Sequence, residues 1–222
     1  MKRLLVPLMV LTTLFSVAFT MGASAAKSAL LVCVMDPNES DALVTENLEK
    51  LGFKVTLVDH ASCADENPAK FDVVVVSSTS TSGNIVNASA YLTTATPVLT
   101  WESALMDDYR YTTELGAYDY DDSTLTVKDA GHPVMAGFGK TFAPYDDMVN
   151  LHTGVPVAGK VVAELPDGKA GVIVADKGDK LMDGFVAPGR RAYIASGDVV
   201  WTSANKNGWK LFSQDITWLT TK

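Results

Sequence analysis

Phe71-Asp-Val-Val-Val-Val-Ser-Ser-Thr-Ser-Thr-Ser-Gly-Asn84 sets four consecutive valines directly ahead of a hydroxyl-rich loop. A strand with one wet face alternates apolar and polar side chains. An uninterrupted β-branched run instead reads as a strand covered on both faces, as in a parallel sheet. Upstream, Ala29-Leu-Leu-Val-Cys-Val-Met35 has the same texture. Between the two, Asp36-Pro-Asn-Glu-Ser40 supplies a turn and an acidic helix start. Val44, Leu48 and Leu51 then recur at helical spacing, Gly52 provides a stop, and residues 53–58 read as a second strand. Downstream come a weak helix over residues 85–92 and a fourth strand, Pro97-Val-Leu-Thr100. Strands joined by crossovers of this length imply parallel pairing with right-handed connections.

The texture changes after about Gly116. Glu164-Leu-Pro-Asp-Gly168 is a hairpin turn signal between two short apolar runs, Gly189-Arg-Arg-Ala-Tyr-Ile-Ala195 predicts a return to the main sheet, and Asn207 is placed to cap a closing helix. The fold class expected is α/β: a flavodoxin-like, mostly parallel sheet with helices on both faces and a turn-rich hairpin elaboration in the second half. Neither repeats nor linkers divide the chain, so residues 26–222 read as a single domain.

The first 25 residues read differently. Lys2 and Arg3 precede an apolar run to about Phe19, and Ala23-Ser-Ala-Ala26 follows, the order of a cleavable export signal with cleavage after Ala25. The run is shorter than the roughly 20 residues of a spanning helix, and Pro7 interrupts it. The sequence therefore predicts an exported protein, periplasmic or extracellular, with no membrane anchor after cleavage. The formal net charge is −8, and loss of the leader removes two cations and no acid. So acidic a surface repels nucleic acid and anionic lipid. Cys33 and Cys63 enter an oxidising compartment, where a disulfide between them or two unlinked thiols are both open readings.

Several segments together, Phe71-Asp-Val-Val-Val-Val-Ser-Ser78, Pro97-Val-Leu-Thr-Trp-Glu102, His132-Pro-Val-Met-Ala-Gly-Phe138, Gly189-Arg-Arg-Ala-Tyr193 and Gly208-Trp-Lys-Leu-Phe212, resemble the ThuA-like branch of the class I glutamine amidotransferase-like superfamily. The resemblance covers nearly the whole mature chain and implies a flavodoxin-like sheet. In the amidotransferases the strand matching Pro97 to Thr100 ends in a turn that carries a nucleophilic Cys between glycines. Here that turn is Thr100-Trp-Glu-Ser-Ala104, and no His stands near Ser196-Gly-Asp198 where the family's catalytic His-x-Glu would fall. Cys-dependent glutamine hydrolysis is thereby excluded.

Open α/β sheets take ligands at the carboxyl ends of their strands. The residues expected there are Asp36, Asn38, Ser78, Thr79, Ser80, Gly83, Asn84, Trp101, Glu102, Ser103 and Asp198, with Arg190 or Arg191 beside Asp198. Glu102 is the sharpest candidate: a desolvated carboxyl at a strand end is a general acid or base, with His132 or an arginine assisting. The structural alternative has Glu102 capping the turn after it or pairing with Arg190 or Arg191. Ser103 is a nucleophile only if a His activates it. Trp101, Tyr109, Tyr111, Tyr118 and Tyr120, amid acids, offer sugar-stacking faces or a cover over the sheet, and Asp119-Tyr-Asp-Asp-Ser123 is a weak calcium pattern. His60 and His152 show no metal-ligand spacing, so neither metal nor cofactor is implied.

The favoured function is an exported, non-catalytic amidotransferase-like domain binding a small polar molecule or carbohydrate, or a partner protein. One alternative is a ThuA-like hydrolase or sugar-modifying enzyme with Glu102 as base; another is an envelope or assembly protein.

Overall fold

A computed structural model describes residues 26–113, 123–147, 149–155 and 157–221; the leader expected over residues 1–25, together with Tyr118 and Tyr120, lies outside them. The chain folds around one nine-stranded sheet in the order β2-β1-β3-β4-β9-β8-β7-β5-β6. β1 (Lys27–Cys33), β2 (Phe53–Asp59), β3 (Val73–Val76), β4 (Val98–Thr100) and β9 (Arg191–Ile194) pair parallel. β5 (Leu125–Val127), β6 (Thr141–Phe142), β7 (Lys160–Glu164) and β8 (Ala170–Ala175) extend the sheet antiparallel beyond β9. The valines that announced a doubly covered strand are β3, and all four are fully buried. Burying each side chain contributes about 1.5–3 kcal/mol. The far edge, β6, is only two residues long, which limits edge-to-edge pairing.

Helices α1 (Glu39–Lys50) and α4 (Lys206–Thr220) pack against each other on one face of the sheet. The short helices α2 (Ser82–Asn87) and α3 (Ala90–Thr93) form the crossover from β3 to β4, so the predicted helix over 85–92 is broken in two at Ala88 and Ser89. The Glu164 to Gly168 segment turns β7 into β8, with Gly168 at φ 84°, where a side chain would be strained. α4 begins two residues earlier than expected. Asn205, not Asn207, is its cap, its Oδ1 accepting the amides of Asn207 at 2.8 Å and Gly208 at 3.3 Å. Among the described residues no helix is long and apolar enough to cross a membrane.

The thiols of Cys33 and Cys63 are free and buried. Cys33 ends β1 within the field of Asp41 on α1, and burial pushes its thiol up to about 12. Cys63 sits beneath α2, its Sγ donating to the Asn84 carbonyl at 3.7 Å. A disulfide between them is thereby corrected: each thiol is held by its own packing environment.

Candidate functional site

Thr100, the last residue of β4, shapes the turn at the strand tip. Its Oγ1 donates to the Val76 carbonyl at 3.0 Å and accepts the Glu102 amide at 3.0 Å. The chain then enters a 3₁₀ turn, Ser103–Leu105, capped by Glu102 Oε1, which accepts the Ala104 amide at 2.7 Å. Glu102 is only 8% exposed. Burial pushes its carboxyl up to about 7; the negative charge of Asp198 adds to this, and the Ala104 N–H opposes it.

Ser103 Oγ lies 3.3 Å from His152 Nδ1. His152 comes from the segment between β6 and β7. Two contacts seat that segment on the end of β9: the Tyr193 hydroxyl donates to the His152 carbonyl at 2.8 Å, and Gly197 approaches Asn150 so closely that a Cβ would stand 2.9 Å from its carbonyl oxygen. Beside them opens a cavity of about 440 Å³, lined by Asn150, His152, Asp198, Val199, Thr202 and Ser203 among others. The carboxyl edge thus brings together two carboxyls, an imidazole, hydroxyls and an apolar wall.

Other residues expected at this edge are consumed by the fold. Asn38 caps α1 through the Asp41 amide at 2.9 Å. Asp41, fully buried, takes the Ser77 hydroxyl at 2.6 Å and the Thr79 hydroxyl at 2.7 Å. Burial raises its pKa, while both hydroxyls pull the other way. Ser80 Oγ donates to the Val32 carbonyl, and Asn84 Nδ2 meets His60 Nδ1 at 2.9 Å. Ser78 is buried with its hydroxyl unpartnered, Gly83 lies within α2, and Asp36 is exposed at φ 63° in the turn after β1.

Four expectations need correction. Trp101 is fully buried, its ring edge-on to Trp201 at 5.4 Å, so it offers no stacking face. Tyr109 and Tyr111 are core residues as well. Arg190 and Arg191 lie at the start of β9, at the opposite edge of the sheet from Asp198. Arg191 is 1% exposed and donates to the carbonyls of Thr94 at 2.6 Å and Thr96 at 2.9 Å. Arg190 pairs with Asp176 at 3.1 Å and donates to the Trp218 and Thr221 carbonyls at the end of α4. His132 belongs with them: its Nδ1 accepts the Val134 amide at 3.3 Å, its ring sits edge-on to Trp218, and burial lowers its pKa. It therefore cannot assist Glu102. His132, Asp176, Arg190 and Trp218 line a second cavity of about 460 Å³ at the amino edge. The calcium pattern falls mostly on residues outside those described, and Ser123, which is described, is buried.

Sequence reasoning missed His152. No local signal marks it, because its partner Ser103 is 49 positions away. Tyr193, read only as a strand residue, was likewise not recognised as its support.

No family model and no curated protein matches the sequence. Solved structures do. A ThuA-like protein of Bacteroides uniformis superposes with a TM-score of 0.60 at 14% identity, covering 92% of this chain and 96% of its own. A Thermoplasma acidophilum protein named as part of a GMP synthase superposes with a TM-score of 0.60 at 11% identity over 87% of this chain and 94% of its own. Agd3, named as a carbohydrate deacetylase, gives 0.58 at 12% identity over 88% of this chain, which spans only 32% of Agd3. At these identities the likeness establishes the fold, and it is the fold implied by the sequence resemblance.

Proposed function

We propose that the mature chain is an exported binding domain without glutaminase chemistry, taking a small hydroxyl-rich ligand, a carbohydrate, at the carboxyl edge of its sheet. The observation that carries this reading is the cavity of about 440 Å³ at that edge, where Asp198, Asn150, Thr202 and Ser203 offer donors and acceptors. Open parallel sheets favour this position for ligands, because the strand-end loops converge there. The reading of Glu102 as a catalytic base assisted by His132 or an arginine loses support, since those groups stand at the opposite edge. Export rests on the leader pattern of residues 1–25.

Calorimetric titration of residues 26–222 with a panel of mono- and oligosaccharides tests the binding claim. At least one sugar should release or absorb heat, and Asp198→Ala should abolish that signal while leaving the melting temperature unchanged. Silence across the whole panel would remove the carbohydrate claim. N-terminal sequencing of the exported protein should begin at Ala26.

A further inference from the structure

We propose that the same pocket hydrolyses small acyl esters of its ligand, with Ser103 as nucleophile and His152 as base. The inference rests on the binding reading for the polyol part of the substrate and goes beyond it in assigning chemistry.

A serine hydroxyl is a poor nucleophile unless a base takes its proton as it attacks. Ser103 Oγ stands 3.3 Å from His152 Nδ1, and such pairs tighten once substrate is seated. Both partners are held from behind. Glu102 Oε1, on the Ala104 amide, fixes the turn carrying Ser103, and Tyr193 holds the His152 carbonyl. Glu102 and Tyr193 act as positioning residues. His152 lines the cavity, so the base borders the space where a ligand would sit, with Ser103 Oγ 3.3 Å behind it.

In the first half-reaction Ser103 Oγ attacks the ester carbonyl carbon and its proton passes to His152 Nδ1. The bond from that carbon to the alcohol oxygen breaks, the released alcohol takes the proton from His152, and an acyl-serine remains. Water then attacks the acyl carbon and gives a proton to His152, which passes it to Ser103 Oγ as the acyl–oxygen bond breaks, releasing the carboxylic acid and restoring both residues. No redox partner is needed. The pocket fits a short acyl chain along Val149, Val199 and Val200 and a hydroxylated alcohol against Asp198, Asn150 and Thr202. An ester suits this pair better than an amide, because an alcohol leaves more readily than an amine.

The test uses residues 26–222 with p-nitrophenyl acetate and with glucose pentaacetate, following acetate release, alongside mass analysis after exposure to a fluorophosphonate. Wild type should release acetate and carry one label on Ser103. Ser103→Ala and His152→Gln should each lower kcat by about 100-fold or more, and Ser103→Ala should still bind the unacetylated saccharide as wild type does. Full turnover in Ser103→Ala, or a folded wild type with neither acetate release nor a label on Ser103, would overturn the proposal. Labelling of wild type keeps the test decisive if a variant misfolds. Failure of saccharide binding with hydrolysis intact would remove the carbohydrate claim alone.

Discussion

At the amino edge of the sheet, Arg190 and Arg191 spend their guanidinium donors on backbone carbonyls and Asp176, and His132 spends its Nδ1 on a turn amide. At the carboxyl edge, Glu102 uses one oxygen to cap a turn, Asp198 is exposed beside a cavity, and the Ser103 hydroxyl meets the His152 imidazole. The two edges are built by the same five parallel strands, yet one has its charges satisfied by the fold and the other keeps polar capacity in reserve. A charged residue type in the sequence therefore says little about function until its hydrogen bonds are counted.

The largest effect should come from disrupting the satisfied edge. Arg191→Met leaves the Thr94 and Thr96 carbonyls buried without their donor, at a cost of about 3 kcal/mol or more in urea unfolding. A cost below about 1 kcal/mol would show that the guanidinium does not brace this edge, and the contrast between the edges would weaken.

Between the edges, α4 carries Asp215, fully buried, with both carboxyl oxygens unpartnered and a pKa that burial holds well above the usual carboxylate range. The folded state keeps a proton that the unfolded chain sheds near pH 4. Stability contributed by this group is thus complete at low pH and declines as pH rises above that of an ordinary carboxyl. Asp215→Ala should raise stability at pH 8 by about 1–3 kcal/mol, with the gain shrinking toward pH 4. A loss at pH 8 would mean that Asp215 has a stabilising role not seen in its contacts.

The smallest effect belongs to the carboxyl edge. At pH 4, Glu102→Gln should leave stability within about 0.5 kcal/mol, because either side chain is then mostly neutral in the folded and the unfolded chain and can accept the Ala104 amide. As pH rises from the ordinary Glu value of 4.5 toward about 7, the wild type should lose stability relative to the variant, since the folded carboxyl holds its proton longer than the unfolded one. Thermal melts at pH 4, 5, 6, 7 and 8 read this directly. Equal curves across that range would place Glu102 in a more solvated position than its 8% exposure indicates.

The strands of the wound half were legible because an all-valine run and a leucine-rich run report burial on both faces from a few adjacent residues. Glu102 was legible as a turn cap because Ala104, its partner, is two residues away. Trp101 was misjudged because burial by Trp201 depends on a residue 100 positions later. The arginines were misjudged for a related reason: adjacency to β9 was readable, but the end of the strand they occupy relative to Asp198 follows from strand direction and length.

By itself the sequence determined an acidic chain, a parallel sheet reached through helical crossovers and a hairpin extension, since periodicity and turn chemistry act over a handful of neighbouring residues. Tertiary structure alone decided which polar side chains are already satisfied and which remain available, and it alone brought Ser103 to His152. Hydrogen-bond partners are chosen by distance in space, and a strand, a crossover and a loop must all be in place before that distance exists.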